Sequence, residues 1–156
     1  MTWTNHTRKI ATLAATCLMA LTAPLALTQP VEQMVSVKSS MLNMRSGPST
    51  STEVLWELQR GYPLQVVKRK NRWAQVRDFE GDTGWVAASL TGRTPHHIVK
   101  VNNANLRKGP GTQHRIVGKA SYGELVRTKE KRGGWVRVER SGGTNGWISK
   151  KLLWGW

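Results

Sequence analysis

Residues 37–90 and 99–152 are one sequence written twice, offset by 62 positions with no gap, and fourteen of the 54 aligned pairs are identical. The identities concentrate on turn-formers and a few large or cationic side chains. They are Asn43/Asn105, Arg45/Arg107, Gly47/Gly109, Pro48/Pro110, Thr50/Thr112, Gly61/Gly123, Trp73/Trp135, Val76/Val138, Gly81/Gly143, Gly84/Gly146, Trp85/Trp147 and Leu90/Leu152, preceded by Val37/Val99 and Lys38/Lys100. Elsewhere apolar replaces apolar, as in Met44/Leu106, Val54/Ile116, Leu64/Val126 and Val86/Ile148. A period of about 60 residues is too long for one solenoid turn and suits a small autonomous domain. The chain therefore reads as two tandem modules, and its function as a tandem-module function.

Within one repeat the pattern is all-β. Val35–Val37, Leu42–Arg45, Pro63–Val67, Trp73–Arg77 and Gly84–Val86 read as short strands, with matching segments in the second copy. Between them stand turn residues: Gly47-Pro48, Gly61, Asn71 and Gly81-Asp82, then Gly109-Pro110-Gly111, Gly123, Gly133-Gly134 and Gly142-Gly143. Strands this short hide an apolar face only by curling into a small barrel or tight sandwich. The expectation is a five- to six-stranded barrel at residues 35–92 and another at 97–156.

The motifs then resemble a known family. Asn43-Met44-Arg45-Ser46-Gly47-Pro48-Ser49-Thr50 and Asn105-Leu106-Arg107-Lys108-Gly109-Pro110-Gly111-Thr112 are similar to the N-hydrophobic-R-x-G-P-x-T signature of bacterial SH3 (SH3b) domains. The turn glycine, W-x-x-V and G-x-x-G-W-V/I follow in the family's order. The resemblance covers both repeats and implies two tandem SH3-like small β-barrels. It also implies a ligand-binding module, of the kind attached to cell-wall hydrolases or standing alone in the cell envelope.

Several motif residues have physical work that needs no ligand. Gly47-Pro48 fixes a turn, because proline presets φ and glycine permits angles others avoid. Trp85 and Trp147 are expected to anchor the barrel cores. Arg45 and Arg107 can tie down loop carbonyls through their several donors, or face a ligand. Trp73 and Trp135 share a strand face with Arg77 and Arg137, opposite Ala74/Val76 and Val136/Val138. If the valine face is the core, these tryptophans lie outside it beside cations. Aromatic rings there stack on sugar faces or peptide while arginines bind anionic groups. The candidate ligand-binding residues are accordingly Trp73, Trp135, Arg45, Arg107 and Arg137.

The first 28 or so residues read as a secretory signal peptide. Arg8 and Lys9 precede an uncharged run from Ile10 to Leu27, and Ala26-Leu27-Thr28 offers small residues for cleavage. An uncleaved anchor is the competing reading, which Pro24 and the modest hydrophobicity of Ala and Thr oppose. Cys17, the chain's one cysteine, lies in this run, so cleavage would leave a protein without thiol chemistry. The expected location is periplasmic or secreted.

Charge is lopsided. Without Arg8 and Lys9 the chain holds 22 basic and 9 acidic residues; residues 31–92 hold 8 and 6, net +2, and residues 99–156 hold 13 and 3, net +10. So positive a surface attracts polyanions in a salt-sensitive way. For an exported protein these are anionic membrane surfaces and wall polymers, with nucleic acid ranked lower.

A catalytic constellation is not legible. Cysteine chemistry would require a nucleophile with a histidine base, and Cys17 falls in the segment expected to be removed. His96-His97 lies in the connector and His114 matches Thr52. Asp78, Glu80 and Asp82 align with Arg140, Gly142 and Thr144, so they read as a solvated loop rather than a repeated site. No metal site and no cofactor are expected. The reading is a non-enzyme: an exported module recognising peptidoglycan or another anionic wall polymer, with a periplasmic protein–protein adaptor as the alternative. The residues leave the oligomeric state open.

Overall fold

A computed structural model describes residues 33–156. The signal-peptide reading at residues 1–28 lies outside the described residues. Among them, no helix is long and apolar enough to cross a membrane.

The chain forms two antiparallel sheets of identical strand order. The first contains β1 (Gln33–Val37), β2 (Met41–Arg45), β3 (Val54–Gln59), β4 (Pro63–Lys70), β5 (Trp73–Arg77), β6 (Thr83–Ala87) and β7 (Thr91–Gly92), arranged β3-β2-β6-β5-β4-β1-β7. The second contains β8 (His96–Val99), β9 (Ala104–Arg107), β10 (Ile116–Ala120), β11 (Leu125–Arg132), β12 (Trp135–Arg140), β13 (Gly146–Ser149) and β14 (Leu153–Gly155), arranged β10-β9-β13-β12-β11-β8-β14. A single 3-10 turn precedes the last strand of each, Ala88–Leu90 and Lys150–Leu152. Each sheet thus has seven strands where five or six were expected. The additions are β3/β10 and the short β7/β14, the latter closing back onto the first strand of its own sheet.

Each sheet curls around a separate core. Val35, Val37, Leu42, Met44, Leu58, Leu64, Ala74, Val76 and Val86 form the first, contributed by six strands of one sheet. Val99, Ala104, Leu106, Ala120, Val126, Val136, Val138, Ile148 and Leu153 form the second. The repeat trades volume between these cores: Leu42 and Leu58 become Ala104 and Ala120, while Ala74 becomes Val136, a redistribution that packed interiors tolerate. Register shifts fall at equivalent places in both sheets, around Leu55 and Val117 and around Val67 and Lys129. Such bulges bend and twist a strand, which is how a short sheet rolls up.

Contacts join the two barrels. The Tyr122 hydroxyl donates to Glu80 at 2.6 Å, and its ring lies 5.5 Å from that of Phe79, centroid to centroid. The indole of Trp156 reaches the buried Ser36. Gly61, at φ +86°, lies against the His96 ring, where an added Cβ would sit 3.0 Å from Cδ2.

Candidate functional site

Strand parity decides which side chains are free for a ligand. On β5, Ala74 and Val76 are buried in the core, so Trp73, Gln75 and Arg77 face outward. On β12, Val136 and Val138 are fully buried, leaving Trp135 and Arg137 on the outer face. The expected split between a valine core face and a tryptophan–arginine outer face is what forms.

Trp85 and Trp147 meet the expectation in their burial and depart from it in their placement. Both are buried, at 9% and 7% exposed, yet neither belongs to a core cluster. Their neighbours Val86 and Ile148 occupy the core, so the indoles project from the opposite face. Trp85 is paired with Gln75 and Arg45, and Trp147 with Arg137 and Arg107. Cations cover them: Lys68 Nζ lies 5.5 Å from the Trp85 ring and the Arg132 guanidinium 5.8 Å from the Trp147 ring. The core position beside each tryptophan is held instead by Gly84 or Gly146. A Cβ on Gly84 would lie 2.5 Å from Met44 Cγ, which leaves no room for a side chain pointing inward there.

On the first barrel this outer face carries a groove of about 410 Å³ lined by Arg45, Asn43 and Met41 of β2, Glu57 of β3, Trp73 of β5 and Leu90. Thr50, Ala87 and the core residue Leu42 complete it. Five of the fourteen repeated identities therefore converge here: Asn43, Arg45, Thr50, Trp73 and Leu90. Trp73 is half-buried and paired with Lys70 and Ala87. Arg107 and Trp135 hold the same strand positions in the second barrel, and Trp135 is paired with Arg132 and Ser149. One substitution changes the electrostatics. Glu57, opposite Asn43, is replaced by Lys119, opposite Asn105. Arg137 stands on the far side of Trp147 from Arg107, exposed and paired with Glu130.

The two signature arginines are partly committed. Arg45 Nη1 donates to the Thr52 carbonyl at 2.6 Å; Arg107 Nη1 donates to those of Thr112 and His114 at 2.7 and 2.8 Å. Each guanidinium thus fixes the loop that follows its strand, and in the first barrel that loop contributes Thr50 to the groove. Asn43, Glu57 and Leu90 escaped the sequence reading as site residues. The identities Asn43/Asn105 and Leu90/Leu152 were the available signal.

The acidic turn is solvent-exposed at Glu80 and Asp82, as expected, and departs from expectation at Asp78. Asp78 is buried, and its Oδ1 accepts from the main-chain N–H groups of Glu80 and Asp82 at 3.0 and 2.8 Å. It holds the turn rather than facing solvent, and burial raises its pKa above the usual carboxylate value. Carboxylate oxygens of Asp78, Glu80 and Asp82 lie within 4.8 Å of one another. The same turn supplies the partner for Tyr122, whose hydroxyl pKa is raised by its bond to Glu80.

Models of the family described as bacterial SH3 domain match residues 38–92 and, separately, 102–153. The chain is 25% identical over 128 residues to the Bacillus subtilis (strain 168) protein named "Putative N-acetylmuramoyl-L-alanine amidase YrvJ". That match takes in 75% of this chain but 24% of the relative, so the chain spans about a quarter of that protein's length. Among solved structures it is similar to an NlpC/P60 family protein from Bacillus cereus ATCC 10987, at 15% identity and TM-score 0.38, over 78% of this chain and 56% of the other. It is also similar to the structure named Endolysin LysPBC5 CBD, at 15% identity and TM-score 0.32, over 78% and 92%. The chain belongs to the bacterial SH3 domain family and carries that domain twice in tandem.

Proposed function

We propose that this protein is an exported, non-catalytic binding module that recognises peptidoglycan or another anionic wall polymer through the outer-face grooves of its two barrels. The observation that carries this is the convergence of Asn43, Arg45, Thr50, Trp73 and Leu90, all repeated in the second copy, on one groove outside the core. A half-exposed indole beside a guanidinium offers a stacking surface for a sugar ring or peptide and an anchor for a carboxylate. The relative's printed name, an N-acetylmuramoyl-L-alanine amidase, supports a wall substrate and an extracytoplasmic setting. Replacement of Glu57 by Lys119, with a second-copy net charge of +10, makes the corresponding face of the second barrel the more attractive to anions. Tandem sites also raise effective concentration on a repetitive polymer.

Retention on purified sacculi at about 150 mM salt, where exposed charges are screened beyond roughly 8 Å, tests the reading. The full chain should be retained, and Trp135→Ala and Trp73→Ala should each weaken retention while leaving a cooperative melt. Retention equal to wild type in the doubly substituted protein would refute the groove. Loss of wild-type retention in salt would reduce the interaction to charge alone.

A further inference from the structure

A second, open cleft shares no lining residue with the outer-face groove. It measures about 460 Å³ and lies between the sheets, lined by Lys38 and Arg60 of the first barrel, Arg93 of the connector, and His96 and Arg127 of the second. Its lining holds four exposed cationic side chains and no carboxylate. Among the described residues, Lys38, Arg60 and Arg93 make no ion pair, while Arg127 is ion-paired with Glu139 at 3.8 Å without a hydrogen bond to it. The adjoining cleft of about 580 Å³, which shares Arg60, His96 and Arg127 with it, contains Glu124 and Glu139, and its Arg140 is bonded to Glu124.

The walls of the cationic cleft are fixed by main-chain pairing. His96 and Arg127 are cross-strand partners, and Gly92 is paired with Ser36. Lys38 N–H donates to the Leu90 carbonyl at 2.9 Å, and Thr128 N–H to that of Pro95 at 2.9 Å. The His96 ring is seated on Gly61, and its Nδ1 lies 2.9 Å from the Thr94 carbonyl oxygen. Burial, with the Arg127 charge adding to it, lowers the His96 pKa, so the imidazole is neutral at pH 7.

Four cations gathered in a concave site repel one another, and an oxyanion relieves that repulsion. A single carboxylate would leave most of the charge uncompensated. A phosphoryl group brings up to two charges and three or four acceptor oxygens, which suit guanidinium forks. The volume falls within the range of small-ligand sites. We propose that this cleft is a binding site for a phosphoryl group, held by Arg60, Arg93, Arg127 and Lys38. The assignment does not depend on wall recognition by the tryptophan grooves.

Calorimetric titration of the full chain at about 150 mM NaCl and pH 7.5, with inorganic phosphate and separately with a short glycerol-phosphate oligomer, tests it. Arg93→Gln/Arg127→Gln should weaken binding by about tenfold or more, the scale of lost charge-assisted hydrogen bonds. Arg115→Gln/Lys151→Gln removes the same charge from positions outside the cleft and should leave binding within about twofold of wild type, as expected of exposed charges. Arg93→Gln alone, in the exposed connector, should show an intermediate loss, which guards against misfolding of the double variant. Oligomer binding much tighter than phosphate identifies a polymer chain as the source, and equal binding identifies free phosphate; either supports the site. Equal weakening by both charge-neutralising pairs, or no wild-type binding of either probe, overturns it. Sacculus retention should be unchanged in the Arg93/Arg127 variant, so failure here and failure of the groove reading are separate results.

Discussion

The indole N–H of Trp156 donates to the hydroxyl of Ser36 at 3.0 Å, so a residue following the second barrel's final strand is bonded to the first barrel's first strand. Ser36 is almost fully buried, and breaking this bond would leave a desolvated hydroxyl. With Tyr122 on Glu80, it makes the modules a joined pair rather than beads on a flexible linker.

Thermal unfolding should register that coupling. Trp156→Phe and Tyr122→Phe each keep a ring and remove a donor, at a cost of about 1 kcal/mol apiece. Scanning calorimetry of the double variant should show a broadened or divided transition where wild type shows one. A single unshifted transition would mean the barrels are coupled through other contacts.

The four tryptophans at repeated positions should separate by burial. Trp147→Ala should cost about 3–5 kcal/mol and unfold a domain this small, although the indole lies outside the valine core. Trp135→Ala removes a half-exposed ring and should leave a folded protein with weakened wall retention. Near-ultraviolet circular dichroism during melting distinguishes the two outcomes.

Glycine substitutions test close approach. A Cβ on Gly146 would lie 3.0 Å from the Arg107 main-chain carbonyl oxygen, which cannot move aside without disturbing strand pairing. Gly146→Ala should lose about 1–3 kcal/mol. Gly118→Ala is the contrast: the nearest atom would be 3.9 Å away, so the change should be neutral or slightly stabilising through the unfolded chain. Denaturant midpoints for the two variants should differ in that order.

Acid should loosen the second barrel. His97 occupies the position that Val35 fills in the first, and is 1% exposed. Its Nδ1 lies 2.6 Å from Thr128 Oγ1, while Nε2 has no hydrogen-bond partner among the described residues. Burial, with Lys131 and Lys150 nearby, lowers its pKa from 6.5 to about 4. Between those values the unfolded chain binds the proton and the folded one does not. Stability should therefore be fully present above pH 6.5 and fall as pH drops toward 4, by on the order of 3 kcal/mol. His97→Val, copying position 35, should flatten this dependence in melts taken from pH 7.5 to 4.

Parity explains how much of this was legible. Alternation along Trp73–Arg77 and Trp135–Val138 separated two faces in the sequence but left open which was the core, and the structure buries the valine face. The same rule applied to Gly84-Trp85-Val86 would have placed Trp85 outside, but tryptophan's bulk made a core anchor the natural reading. What that reading lacked was the cover supplied by Lys68 from another strand. The strand β3 was invisible for a different reason. Only Leu58 among Val54–Gln59 is buried, so no alternation betrays it. The cleft between the barrels was beyond reach, since Lys38, Arg60, Arg93 and Arg127 are gathered by tertiary folding from separated segments with no shared motif.

Within each barrel the final strand lies beside the first: β7 is paired with β1, and β14 with β8. The chain therefore leaves each module close to where it came in, with the core already closed. A circularly permuted first module, its old ends joined by a short linker and reopened at Asn71-Arg72, should keep every core contact. By the same geometry, such modules can be copied in series or spliced into a host protein's surface loop, each addition displacing neighbouring backbone by little more than the width of two strands.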